Sequence, residues 1–346
     1  EKVQRYSLIG GALLLAFLVV LVWNRYRIKK KANKNLILLN NEILQRNEEI
    51  RAQREEIMTQ NEEITAINDE LHYKNEEIIT QRDQLVKKNK QITDSINYAK
   101  RIQEAILPSS KAVKKAFPDS FIFYLPRDIV SGDFYWFTEQ DDSYYLAAAD
   151  CTGHGVPGAF MSMIGNSLLN ELVKEKQITS PSEILGALNN MVREALLQGG
   201  DEKAQEDGMD ITLCRISKDK KKLCISSANQ SVFVIQKDQM QTLQGDIYSI
   251  GGSFSPKPGK SYNEHDISIG TNTKIYMFSD GYPDQFGYDN YRKKDRKFTV
   301  KKLSSLIESM HSKPFDEQEK IIAETFYTWK GNTKQTDDVL VMGISL

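Results

Sequence analysis

The residues in this chain best suited to chemistry are aspartates, and they recur in one local setting. Asp133 in "VSGDFYW", Asp150 in "AADCTGHG", Asp280 in "MFSDGYPD" and the pair Asp337-Asp338 in "QTDDVLVMG" each stand at the end of a strand-like run or beside glycine. One such acid means little, because Asp-Gly is a turn signal and a strand-end aspartate is commonly solvated. Four sites of the same kind carry more weight, since the ends of neighbouring strands can converge on one point. Carboxylates brought that close repel one another and need a cation between them. Hard oxygen ligands select Mg²⁺ or Mn²⁺ rather than zinc. The four histidines (His72, His154, His265, His311) and three cysteines are scattered without ligand spacing. Two ions sharing a carboxylate can hold a water, lower its pKa and direct it in line at phosphorus. No Ser-His-Asp, Cys-x₅-Arg or P-loop pattern offers a protein nucleophile or a nucleotide site. The chemistry that fits is metal-assisted hydrolysis of a phosphomonoester.

The elements that would position these acids begin near Phe117. Short β-branched and aromatic runs follow one another: "FIFYLPR", "DFYWF", "YYLAAAD", "ITLCRIS", "KLCISSA", "SVFVIQ", "KIYMFSD" and "DDVLVMGISL". Turn signals such as "EQDDS", "SKDKKK" and "QKDQ" separate several of them, which predicts antiparallel hairpins. Helices are predicted over Pro157 to Lys174 and Ser180 to Leu197, the second opened by a Ser-Pro cap. Two more are predicted near Thr299 to Met310 and Phe315 to Trp329. Runs of strands with helices in pairs indicate one layered α+β domain of about 230 residues.

The chain has 346 residues and a net charge of −1, which gives no reason to expect a nucleic-acid partner. Opening on Glu1 rather than Met, it is expected to continue upstream. Cys151, Cys214 and Cys224 cannot all pair with one another, so a reducing compartment is the simpler expectation. Ser7 to Trp23, "SLIGGALLLAFLVVLVW", is an uncharged run of about 17 residues, near the lower limit for a membrane-spanning helix. Tyr6 and Trp23 flank it, and "RYRIKKK" follows, which marks the cytoplasmic side. No small-x-small cleavage site follows, which argues against a signal peptide. Residues 1–31 are therefore expected to be a single-pass anchor in the lipid of the plasma (inner) membrane, with the rest of the chain in the cytoplasm.

From Asn33 to Leu107 there is no proline or glycine. Apolar residues recur every seventh position, at Ile43, Ile50, Ile57, Ile64, Leu71, Ile78, Leu85, Ile92, Ala99 and Ile106. That period predicts a left-handed coiled coil over residues 32–107. With these as d positions, the a positions are Asn47, Arg54, Asn61, Asn68, Asn75, Arg82, Asn89, Ile96 and Gln103. Asn at a favours two parallel strands in register while weakening them. A parallel homodimer is expected, its helix serving either as a spacer or as a signal conduit that changes register or rotation. Pro108 stops the helix, and residues 108–346 form the globular domain.

"SGDFYW", "ADCTGHGVPGAFMS", "FSDGYPDQFG" and "TDDVLV", in this order and at these intervals, resemble the SpoIIE-type serine/threonine phosphatases, the bacterial branch of the metal-dependent PPM family. The resemblance covers about Asp94 to Leu346. It implies an αββα sandwich, two antiparallel sheets flanked by helix pairs, with a centre for two Mn²⁺ or Mg²⁺ ions at one edge. It implies that Asp150 bridges both ions, that the backbone carbonyl of Cys151 is a ligand, and that Asp280 and Asp337 are further ligands. Asp133 would be an outer or second-ion ligand, and Asp338 and Gly153 would support the site. The eukaryotic branch has a histidine two places after the bridging acid. His154 lies four places after Asp150 and is read as a loop residue. Arg127 in "LPRDIVSGD" is the nearby candidate for gripping phosphate, and a plain surface arginine is the competing reading.

The resemblance further implies a phosphorylated regulatory protein as substrate, typically a STAS-type anti-sigma-factor antagonist. Two rival readings stay open on sequence alone. One is a non-catalytic module that uses the same fold to bind a phosphoprotein. The other is a nucleotide cyclase behind a membrane segment and helical linker, although no base-selecting pattern is present.

Overall fold

A continuous run of helix formers from Asn33 to Leu107 produces what its composition predicts, the helix α1 (Lys2–Ile106). The computed structural model describes residues 1–198, 206–252, 256, 261–289 and 294–346. It divides into two units, Glu1–Lys88 and Asn89–Leu346. In the first unit every side chain is exposed in the single chain, including Ile43, Ile50, Ile57, Ile64, Leu71, Ile78 and Leu85. Pairs such as Arg46–Glu42 (3.2 Å) and Lys74–Glu70 (2.7 Å) stabilise it locally, but each contributes only about 0.2–0.5 kcal/mol. Near its start the helix is long and apolar enough, by length and composition, to cross a membrane.

The second unit begins with the last turns of α1 and the short helix α2 (Ser110–Ala116). Thirteen strands follow among the described residues: β1 (Ser120–Leu125), β2 (Phe134–Gln140), β3 (Ser143–Cys151), β4 (Gly208–Ser217), β5 (Lys222–Ala228), β6 (Ser231–Gln236), β7 (Gln239–Gln244), β8 (Ile250–Gly251), β9 (His265–Ser268), β10 (Lys274–Phe278), β11 (Phe286–Asp289), β12 (Lys294–Lys297) and β13 (Val339–Ser345). One sheet has the order β1-β13-β10-β6-β7 and the other β2-β3-β4-β5-β9, with β8 beside β4. Every ladder pairing in both sheets is antiparallel.

Period-two alternation along these strands builds three apolar layers. Leu146, Ala148, Cys214, Ile216, Ile275, Met277, Leu340 and Met342 fill the space between the sheets. Their neighbours Trp136, Ala147 and Leu213 pack outward under the helices α3 (Gly155–Asn170) and α4 (Pro181–Ala195). On the opposite side Phe121, Tyr276 and Val341 pack under α6 (Val300–Met310) and α7 (Phe315–Lys330). Each fully buried side chain of this size contributes about 1.5–3 kcal/mol, so these layers decide the fold. The result is the αββα sandwich.

All eight predicted strand runs are strands, and the caps fall where predicted: the Ser180 hydroxyl accepts from Glu183 N, and that of Thr299 from Lys302 N. The helix predicted over Pro157 to Lys174 starts two residues earlier, at Gly155, and its last turn is a π-helix, Glu171–Glu175. β7 and β9 carry little apolar signal, being mostly exposed strands at the sheet edges. The α1 end also departs from the heptad assignment. Gln103, an a position of the predicted seam, is 4% exposed and turned into the second unit. Its side-chain amide donates to the Ser131 carbonyl at 2.7 Å and to Ser162 Oγ at 2.8 Å. A residue so engaged with its own chain is not part of an interhelical seam.

Candidate metal centre

The alternation that fills the space between the sheets ends, at one edge, in acids. Tyr135 precedes Phe137 on β2, Leu146 and Ala148 lead along β3, and Cys214 and Ile216 lie on β4, with Leu340 and Met342 on β13. Continuing each series by the same two-residue step reaches Asp133, Asp150, Asp210 and Asp338. Residues two apart leave a strand on the same face, so four carboxylates leave the inner faces at one edge. Asp280 joins them from the turn after β10, where its backbone N–H donates to Asp150 Oδ2 at 3.2 Å. Behind it the short helix α5 (Gly281–Asp284) turns the chain away.

The electrostatics follow from the crowding. Asp133 is 2% exposed, and its Oδ2 has no hydrogen-bond partner. Burial pushes the Asp133 carboxyl well above the usual carboxylate range, and Asp338, Asp337 and Asp280 push it in the same direction. Burial does the same to Asp150, reinforced by Asp133, Asp280 and Asp210. Asp280 is raised to about 6 by burial and by Asp284 and Asp337. A buried carboxylate oxygen without a donor, among like charges, is the arrangement a divalent cation relieves. The donor set is all oxygen, which suits Mg²⁺ or Mn²⁺.

Glycines bring the two loops of the site together. A Cβ on Gly158 would lie 2.4 Å from the Gly153 carbonyl oxygen and 2.8 Å from Gly132 Cα. A Cβ on Gly132 would lie 2.6 Å from that same oxygen. Gly153 itself has φ +78°, a conformation that favours glycine. The loop before Asp133 is thereby packed directly on the loop after Asp150. Asp338 supports this junction: its Oδ1 accepts from Arg127 N and its Oδ2 from Gly132 N, both at 2.7 Å. Both of its oxygens are thus occupied by backbone donors. Asp337 stands beside it, with Oδ1 accepting from Asp338 N at 2.8 Å.

The other candidates fall around this core. Arg127 donates from its guanidinium to the Thr336 carbonyl at 2.9 Å, next to Asp337. Cys151 is buried at the end of β3, and burial with the Asp150 and Asp133 charges holds its thiol well above the usual range. That disfavours a thiolate ligand or nucleophile. His154 is half-exposed, and its Nδ1 lies 2.8 Å from Asp128 Oδ2, an acid of the loop before β2.

Asp210 is the residue that the sequence pattern missed. It shares part of their setting, lying two residues after Gly208 near the start of β4. The apolar run "ITLCRIS" begins one residue later, which puts the start of the predicted strand after Asp210, whereas β4 begins at Gly208. Burial raises its carboxyl, against hydrogen bonds from Ser249 and Asn229.

Comparisons with known proteins bear on the family and the fold. A model of the stage II sporulation protein E (SpoIIE) family matches residues 140–346, a span that contains Asp150, Cys151, Asp210, Asp280, Asp337 and Asp338. Phosphoserine phosphatase RsbU of Bacillus subtilis (strain 168) is 26% identical over 193 residues, 55% of this chain and 53% of its own length. The chain therefore spans about half the length of that relative. The SiaA-PP2C domain of Pseudomonas aeruginosa superposes with a TM-score of 0.65 at 27% identity, covering 75% of this chain and 98% of that one. The structure of the RsbU and RsbW domains of Rv1364c from Mycobacterium tuberculosis shares the fold, with a TM-score of 0.50 at 16% identity over 66% of this chain and 60% of that one.

Proposed function

The chain belongs to the SpoIIE family of PP2C-type phosphatases, and from that premise we propose that it hydrolyses phosphoserine or phosphothreonine on a regulatory protein, using two Mn²⁺ or Mg²⁺ ions. The observation that carries this reading is the buried, partnerless Oδ2 of Asp133 within a ring of raised carboxyls. Asp150, Asp280, Asp337 and Asp133 would hold the ions, with the Cys151 carbonyl as a backbone ligand. Such ions would supply Lewis acidity there, lowering the pKa of a water and offsetting charge on the phosphoryl oxygens. The chain's own part is positioning. Asp338 fixes the Arg127–Gly132 loop through its two backbone bonds, and the Asp280 N–H orients Asp150. Arg127, whose guanidinium donates to the Thr336 carbonyl, would grip a substrate phosphate.

The substrate we infer is a phosphorylated regulator of the STAS anti-sigma-factor-antagonist type, in keeping with the likeness to RsbU. Ser7 to Trp23 would anchor the chain in the inner membrane with the catalytic unit in the cytoplasm. The heptad stripe, exposed in the single chain, is suited to a parallel homodimer that regulates the catalytic unit. Single cysteines introduced along the stripe test that regulation: activity that is unchanged across all cross-linked registers removes it.

The enzymatic reading is tested by phosphate release from a phosphoserine peptide. Release that requires Mn²⁺ and is abolished by chelation and by Asp280→Asn is the expected result. No release with any divalent metal would leave a phosphoprotein-binding scaffold, and pyrophosphate formed from a nucleotide would indicate a cyclase.

A further inference from the structure

Asp210 faces Asp150 directly. The two are register partners on the antiparallel strands β4 and β3, so their side chains leave the same face with Cβ atoms about 5 Å apart. Like charges opposite one another on a sheet are destabilising, and here both carboxyls are partly withdrawn from water. Asp210 is nevertheless held firmly in place. Ser249 Oγ donates to its Oδ1 at 2.5 Å, and Asn229 Nδ2 donates to its Oδ2 at 2.8 Å. These donors come from two different loops, and Asn229 occupies a left-handed backbone position, φ +53°. Neither donor carries charge, so neither relieves the repulsion from Asp150. Each Asp210 oxygen keeps a second lone pair. A residue that only braced the two loops would have no reason to be an acid set against another acid. At the same edge, Asp133 Oδ2 is buried without a partner.

We propose that Asp210 is a further carboxylate of the cation cage, presented by Ser249 and Asn229, and that it strengthens divalent-cation binding on the Asp280 side of Asp150. The proposal rests on the metal-centre reading above and adds a residue to it.

The test is Asp210→Asn in the full chain, with Mn²⁺ alone as the probe. Mn²⁺ binding is followed by electron paramagnetic resonance, and thermal unfolding is measured in chelator and in saturating Mn²⁺. The expected result is an affinity loss of about 10-fold or more, together with a change of sign in stability. In chelator the variant unfolds at a higher temperature than the wild type, because the repulsion is gone. In saturating Mn²⁺ it unfolds at a lower temperature. Ser249→Ala is expected to weaken Mn²⁺ binding in the same direction by a smaller factor, and it tests the same point without altering the charge of the cage. Affinity within twofold of the wild type for both variants overturns the proposal. So does an equal drop in unfolding temperature with and without Mn²⁺, the mark of a residue that only braces loops. If the wild-type chain takes up no Mn²⁺, the metal-centre reading itself fails; if it does and the variants match it, only the role of Asp210 falls.

Discussion

Gln103 Nε2 lies 2.7 Å from the carbonyl oxygen of Ser131, two residues ahead of Asp133. The same amide reaches Ser162 Oγ on α3 at 2.8 Å, and Gln103 Oε1 accepts from Ser131 N at 3.3 Å. One side chain near the end of α1 thus ties the Asp133 loop to the helix that follows Asp150. Gln103→Leu leaves the Ser131 N–H without its partner and the Ser131 carbonyl with only the longer bond from Ser162 Oγ at 3.4 Å, at a cost of about 1–3 kcal/mol. The expected outcome is lower stability in urea unfolding and weaker Mn²⁺ binding, with the substrate KM little changed. Mn²⁺ affinity equal to the wild type would show that the loop is held without this contact.

The metal-free protein should lose stability as pH rises. Asp280 has a folded pKa of about 6 against an ordinary value of 3.8. Between those values the folded chain keeps a proton that the unfolded chain has released, so the unfolding free energy falls with rising pH. Asp133 and Asp150, both raised well above the ordinary value, extend the loss to higher pH. With the acids holding Mn²⁺ as proposed, saturating Mn²⁺ should compete with those protons and reverse the slope. Thermal unfolding in chelator and in Mn²⁺, between about pH 4 and pH 7, reads both signs.

Gly158→Ala should damage the site without touching an acid. Its Cβ would press on the Gly153 carbonyl and Gly132 Cα, both backbone atoms that cannot rotate away. A cost of about 1–3 kcal/mol is expected from the clash, with phosphate release falling more steeply than stability because the two loops of the candidate site would be forced apart. By contrast Gly186→Ala on α4, where nothing lies within 4 Å of the added Cβ, should leave activity intact and serves as the control.

Cys151→Ala separates the thiol from the carbonyl. The carbonyl is the proposed ligand, and the thiol is buried and held protonated. The substitution should cost on the order of 1 kcal/mol from lost packing and keep phosphate release within a few-fold. Loss of Mn²⁺ binding would instead make the sulfur a ligand.

Much of this architecture is legible in the residues because each depends on local rules. Strand runs such as "YYLAAAD" and "SVFVIQ" are β-branched or aromatic and bounded by turns, and Ser180-Pro181 is a cap by its chemistry. What escaped reading had weak local signal. β7 carries one buried residue, Leu243, and the π-helical end of α3 has no composition of its own. Gln103 escaped for a different reason. Its heptad position and its burial in the catalytic unit are both compatible with glutamine, and only the contact distinguishes them.

The sequence by itself determined the long helix and the strands, because periodicity and turn chemistry act within a few residues. It also marked four of the acid sites, three of them ending an alternating series and Asp280 standing in the turn after β10. Only the tertiary structure decided that the series end at the same edge, that Asp210 stands opposite Asp150, and that Asp338 is occupied by the Arg127 and Gly132 backbone. The physical reason is that repulsion between carboxylates and the pairing of distant strands depend on separation in space, which no spacing along the chain records.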